Sequence, residues 1–280
     1  MPSLKQSVSK PKDLPKLDDG TRSFDITITQ KVVQDSRNSN IAKLAAKVEI
    51  KGFRKGKAPL NLVEEQLDKN KLYSAVLDEV IPPEYLKYLQ ANKLAPLTDP
   101  RITPTSMEDG KDWTFHVEIV VRPPVDLGKY QEYVKSALSE HAKTHPHDSK
   151  EKKAESDNHA LSVVFDSLLQ NAKLAVSPIL IEEEAKNALS KLVNQLAGLK
   201  LNLDDYLKSM KKTQEELVKE YTNTAETNIK LELILGAVVD DLKPEVDDKE
   251  VASMNPQKGQ EAYARYLVQK KKALDFLSGL

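Results

Sequence analysis

Gly52-Phe53-Arg54-Lys55-Gly56-Lys57-Ala58-Pro59 separates two helix-forming segments near the N-terminal third of the chain. It sets three cations and one aromatic between glycines and closes on a proline. Residues 43–57 carry six lysines and arginines (Lys43, Lys47, Lys51, Arg54, Lys55, Lys57) against the single acid Glu49, a surplus of five in a chain of formal net charge −1. A local excess of this size in a near-neutral chain is a footprint for a polyanion. The glycines permit a sharp reversal, and the proline suits the first turn of a following helix. The octet therefore reads as the tip of a helix–loop–helix, with Phe53 short of local apolar neighbours and available to dock elsewhere.

Outward from this tip the pattern builds a small domain. Residues 1–22, rich in Lys, Pro, Ser and Asp and lacking periodicity, read as a disordered lead-in. Phe24-Asp25-Ile26-Thr27-Ile28-Thr29 alternates as a half-buried strand does. A helix is predicted over roughly 32–49, with Ile41, Leu44, Ala45 and Val48 on one stripe and Lys43 and Lys47 facing out. A second helix follows the octet through Leu62, Val63, Gln66, Leu67, Tyr73, Val76, Leu77 and Val80, with a break near Asn70. Pro82-Pro83 is expected to interrupt it and Glu84–Ala91 to restart it. Arg101-Ile102-Thr103 is predicted as a short edge strand, and Asp109-Gly110 as a hairpin turn. Trp113, Phe115, Val117, Ile119 and Val121 then form the inner face of a strand that pairs with the Phe24 strand. The body of this domain ends near Pro123-Pro124.

The octet fits the G-F-R-x-G-K-x-P signature of trigger factor, the bacterial ribosome-bound chaperone, and the chain resembles that family beyond it. The order of strand, helix, signature loop, paired helices and strands is similar to the family's N-terminal domain, as is the exit through VRPPVDLGKY at 121–130. The segments NAKLAVSPILIEEEAKNALSKL, LDDYLKSMKKTQEELVKE and KKKALDFL resemble its helical C-terminal domain. The resemblance implies an α+β fold class, a small ribosome-binding domain joined to an elongated all-α chaperone domain. It also implies that Gly52, Phe53, Arg54, Lys55, Gly56, Lys57 and Pro59 form the ribosome-binding site. The implied partners are the large ribosomal subunit, through an exit-site protein and rRNA, and nascent or unfolded polypeptides; homodimer formation is left open. The expected division is 23–130 for the ribosome-binding domain, 131–157 for a polar linker and 158–280 for the helical domain.

Here the chain departs from the family. An FKBP-like prolyl isomerase domain is usual at this place, and a domain needs on the order of 100 residues. Residues 131–157 are polar and charged without a repeated strand pattern, so that domain reads as absent and no enzymatic activity is expected. Leu161, Val164, Phe165, Leu168, Leu169 and Ala172 open the helical half as an amphipathic stripe. Ser177-Pro178 is a cap pair, Gly198 a stop, Asn202 a further cap and Thr213–Glu216 a capping box. A turn at Asn255, Pro256 and Gly259 precedes the last helix, and the stretch 251–259 is shorter than the family's, which trims one arm. Residues 178–250 hold 16 acids against ten lysines and arginines, so the two ends differ in sign.

Composition closes other routes. The chain has no cysteine, which excludes disulfides and thiolate chemistry. No window approaches the ~18 apolar residues of a membrane span, no Gly-rich phosphate loop is present, and no secretory signal begins the chain; cytoplasmic location and ATP-independent holding without cofactors are expected. His141, His145, His147 and His159 have spacing compatible with a transition metal. With no rigid frame legible in a polar linker they read as solvated residues, and no metal site is assigned. The alternative readings are a ribosome-binding or assembly factor that does not hold clients, and a residual peptidyl-prolyl isomerase.

Overall fold

The computed structural model describes residues 18–45, 68–144 and 153–280. The described chain divides into two compact units between Val121 and Arg122. In the first, β1 (Thr21–Ile28), α1 (Gln30–Ala45), α2 (Lys69–Asn92), β2 (Arg101–Ser106) and β3 (Trp113–Val120) follow one another.

The sheet has the order β1-β3-β2, antiparallel throughout. Phe24 lies opposite Val117 and Ile26 opposite Phe115, so the inward residues of both strands fall on one face. Phe24, Trp113, Phe115, Val117 and Ile119 are all buried there. The predicted edge strand is β2, and its Pro104 sits where a missing N–H is tolerated, beside a register shift between Pro104 and Ser106. Gly110 turns the β2–β3 hairpin with a φ of 77°, and Trp113 Nε1 donates to the Glu108 carbonyl at 3.3 Å across it.

Leu72, Val76 and Val80, one turn apart on α2, are buried in the same core, and Tyr88 stacks on Phe24 with ring centroids 3.6 Å apart. The break expected near Asn70 is a helix start: Asp68 is the N-cap and accepts from the Asn70 N–H. The interruption expected at Pro82-Pro83 does not occur, and α2 runs through both prolines to Asn92. Proline removes the N–H that would reach the carbonyl four residues back. The residues so affected, Asp78 and Glu79, are exposed, as are the prolines. Water can therefore satisfy those carbonyls. The lead-in also ends earlier than expected, since β1 begins at Thr21; residues 1–17 lie outside the described residues, as do Lys47, Val48, Leu62, Val63, Gln66 and Leu67.

The second unit is helical: α3 (Tyr130–Thr144), α4 (Lys153–Asn171), α5 (Pro178–Gly198), α6 (Leu203–Met210), α7 (Gln214–Leu242), α8 (Asp248–Ser253) and α9 (Glu261–Ser278). Its core joins Tyr130 and Val134 of α3, Val164 and Leu168 of α4, Ile234, Leu235, Val238 and Val239 of α7, and Ala273 and Leu277 of α9. The expected polar linker at 131–157 is corrected here. Residues 130–144 are a helix whose Tyr130 and Val134, one turn apart, are buried in this core. Polar composition hides the stripe because only one helix face is apolar. Residues 122–130, assigned by sequence to the first domain, likewise belong with this unit: Asp126 and Lys173 form a backbone bridge.

Local signals hold through the helical unit. Ser177 caps α5 and accepts from the Ile179 N–H, Asn202 caps α6, and Thr213 and Glu216 close a reciprocal capping box on α7. Asp247 and Glu250 form a second box on the six-residue α8. No helix among the described residues is long and apolar enough to cross a membrane.

Trp113, the chain's single tryptophan, reports on the first unit alone. Ile119→Ala, at a fully buried position of β3, should lower stability by about 2–5 kcal/mol in urea unfolding followed by Trp113 fluorescence.

Candidate functional site

The seven residues singled out by sequence, Gly52, Phe53, Arg54, Lys55, Gly56, Lys57 and Pro59, lie outside the described residues. The structure does describe the helices on either side of residues 46–67, and the contacts that hold those helices together. Glu79 of α2 is the hub. Its Oε2 accepts from Ser36 Oγ at 3.0 Å and from Asn40 Nδ2 at 2.7 Å, and Lys43 Nζ lies 3.6 Å away. Asn40 Nδ2 also donates to the Ser36 carbonyl at 3.0 Å. Ser36 and Asn40 are buried between α1 and α2, so these bonds replace water that their side chains have lost. The hydrogen bonds from Asn40 and then Ser36 hold the Glu79 carboxyl below the usual carboxylate range, and the Lys43 ammonium adds to the effect.

Next to Ser36 on α1, Arg37 Nη1 donates to Asp109 Oδ1 at 3.0 Å, and Tyr73 OH reaches the same oxygen at 3.3 Å. The guanidinium lies 5.9 Å from the centre of the Tyr73 ring, within cation–π range. The β2–β3 turn thereby joins the helix pair. Lys43 faces solvent as its spacing predicts, with a side chain 62% exposed, but it does so beside Glu79. The cationic surplus counted along the sequence thus includes one lysine with an acid from α2 at its side. No local pattern announces Glu79; it stands 39 residues from Asn40.

A second surface lies in the helical unit. α5 packs on α7, and an open groove along the pair is lined by Ala185, Leu189, Val193 and Val218, with Glu182 and Lys186 among its polar residues. Val193 and Val218 remain exposed, as do Leu199, Leu201 and Met210 on the connection between the two helices. That connection turns through left-handed lysines, Lys200 and Lys211, with φ of 58° and 52°. Gly198 does end α5, yet the left-handed position falls two residues later.

A third cluster anchors the start of the helical unit. Arg122 Nη1 donates to Asp240 Oδ2 of α7 at 2.7 Å. Its guanidinium lies over Gly236, where any Cβ would collide with it. Tyr266 OH donates to Glu232 at 3.1 Å, and Lys270 pairs with the same carboxylate. Burial, then the nearby Glu232 charge, pushes the Tyr266 phenol up to about 12. Sequence reasoning passes over Gly236, whose only local signal is a glycine inside a helix.

Two family models match the chain. The bacterial trigger factor protein model covers residues 12–145, and the model of the trigger factor C-terminus covers 139–278. The chain belongs to the trigger factor family. The two matches overlap over 139–145, so no stretch separates the family's N-terminal and C-terminal parts in this chain. Among curated proteins, trigger factor 1 of Desulfitobacterium hafniense (strain Y51) is 34% identical over 116 residues, 41% of this chain and 27% of that protein. Trigger factor of Moorella thermoacetica is 32% identical over 115 residues, 41% of this chain and 26% of the relative. These matches therefore span about a quarter of the curated relatives' length. A solved structure described as "Promiscuous Substrate Recognition in Folding and Assembly Activities of the Trigger Factor Chaperone" matches with a TM-score of 0.64 at 12% identity, over 96% of this chain and 99% of that one. At that identity the likeness concerns the fold.

The Glu79 hub sets a pH dependence. A carboxyl whose folded-state pKa is depressed contributes stability above its unfolded value, here 4.5, and loses that contribution as pH falls through the folded value. Glu79→Gln should therefore flatten the acid limb of the stability curve below about pH 5, measured as urea midpoints by Trp113 fluorescence between neutral and acid pH.

Proposed function

We propose that this chain is a ribosome-associated, ATP-independent chaperone of trigger factor type. It docks near the nascent-chain exit and transiently holds unfolded polypeptide. The observation that carries the reading is the octet at 52–59, set within the N-terminal family match and followed directly by the C-terminal one. In this reading Arg54, Lys55 and Lys57 meet rRNA phosphates and acidic side chains of an exit-site protein. Phe53 enters an apolar dock, while Gly52, Gly56 and Pro59 shape the turn. Phosphate contacts release counterions and weaken steeply with salt, whereas burial of Phe53 adds about 1.5–3 kcal/mol that salt does not remove. The Glu79 hub and the Arg37–Asp109 contact give α1 and α2 a fixed base from which the intervening segment is presented.

Client holding falls to the helical unit. Val193, Leu199, Leu201, Met210 and Val218 are exposed apolar side chains among charges. Such a surface offers several small adhesive patches and suits weak, promiscuous contact with apolar segments. The acidic surplus of residues 178–250 keeps this surface off a polyanion. Without nucleotide-driven release, exchange rests on weak contacts and on the folding of the client. We assign no isomerase chemistry, because the family's N- and C-terminal parts adjoin, and we place the protein in the cytoplasm, where ribosomes are.

Two experiments test the halves of this reading separately. Phe53→Ala, Arg54→Ala and Lys55→Ala together should abolish co-sedimentation with ribosomes at low salt while the circular dichroism spectrum is unchanged; sedimentation equal to wild type would refute the docking role. Val193→Ser, Leu199→Ser and Val218→Ser together should at least halve suppression of aggregation of an unfolded protein without ribosomes, with helix content retained. Full suppression by this variant would remove the holding role from that surface.

A further inference from the structure

We infer that His141 and His159 form a two-histidine clamp for a late first-row divalent cation, Zn2+ or its neighbours, bridging α3 and α4. Tyr133 of α3 meets Ser167 of α4, whose Oγ donates to the Tyr133 carbonyl at 3.4 Å. His141 meets His159, with ring centroids 6.1 Å apart and planes 24° from parallel. These two crossings make the helices antiparallel, and the histidine pair marks the end nearer their connection. The polar composition of 131–157 hides a frame that the helices supply: Tyr130 and Val134 root α3, and Val164 and Leu168 root α4, in one core. Each histidine thus stands on an element anchored elsewhere, with its ring toward the other.

The chemistry of the donors selects the ion. Neutral imidazole nitrogen binds Zn2+ at about 2.0–2.1 Å and suits Zn, Cu and Ni, whereas Ca2+ and Mg2+ take oxygen. One cation shared by two such nitrogens holds them about 4 Å apart at most. Rings whose centres are 6.1 Å apart reach that separation by turning about χ2, a soft torsion for histidine. Among the described residues no group of three or more potential ligands gathers, so solvent completes the coordination. The site is accordingly exchangeable, unlike a closed structural one. Four of the chain's five histidines fall between 141 and 159; His145 and His147 lie outside the described residues and are not assigned to the clamp. A bound cation would staple the hairpin at its connected end, with His141 inside the 139–145 overlap of the two family matches.

The test is calorimetric titration of Zn2+ into the untagged full chain in chelator-stripped buffer, with thermal unfolding followed by circular dichroism. Wild type should bind one Zn2+ per chain and unfold at a higher temperature when it is present, since a ligand of the native state stabilises it. His141→Ala and His159→Ala should each weaken binding at least tenfold and lose the thermal shift. His116→Ala, which removes the histidine paired with Asp25 in the other unit, should match wild type. Zn2+ affinity in either clamp variant within twofold of wild type overturns the proposal. So does loss of binding in His145→Ala/His147→Ala equal to the loss in the clamp variants, and so does absence of binding to wild type.

Discussion

Everything in the α+β unit leans on the two-sided pairing of β3. It is the central strand, bonded to β1 and β2, and its inward side chains are the floor on which α2 lies. Trp113, Phe115, Val117 and Ile119 are nearly inaccessible to water, and each represents about 1.5–3 kcal/mol of apolar burial. α2 can traverse two prolines because Leu72, Val76 and Val80 before them, and Tyr88 after them, are held by this surface. α1 is held in turn by α2 through a carboxylate with three partners and by the hairpin turn through Arg37. The order of dependence runs from sheet to helix pair.

The helical unit divides its labour differently. α3, α4, α7 and α9 share one core, whereas α5 rests chiefly along α7. A helix with one principal neighbour buries one narrow stripe and leaves apolar side chains on its flanks. Val193 is of this kind. Segments with few buried contacts also open at lower free energy than a core does. The exposed apolar side chains thereby lie on the part of the unit where local rearrangement disturbs the core least.

What is legible in the sequence is what is local. Asp109-Gly110, Ser177-Pro178, Asn202 and the Thr213–Glu216 box each satisfy backbone groups within a few residues, and all four appear where expected. Alternation likewise finds β1 and β3, because a two-residue period needs no knowledge of the partner. The failures share the opposite property. The helix at 130–144 depends on a core assembled from α4, α7 and α9, about 30 to 145 residues away. The path of α2 through Pro82 depends on which carbonyls face water, and that depends on the sheet. Glu79 looks like any exposed acid until Asn40 is seen beside it. For the candidate site, charge and glycine spacing make 52–59 the expectation, and that stretch lies outside the described residues; the flanking helices are joined through Ser36, Asn40 and Glu79, which no short motif connects.

Gly236 makes a last point of this kind. A glycine inside a long helix ordinarily costs about 1 kcal/mol relative to alanine, and here that vacancy is the berth of a guanidinium from the first residue of the helical unit. A β-carbon at 236 would fall against that guanidinium, so the half-exposed arginine end would have to swing away from α7 to admit it. The two positions thus meet through one movable contact, although 113 residues of intervening sequence separate them.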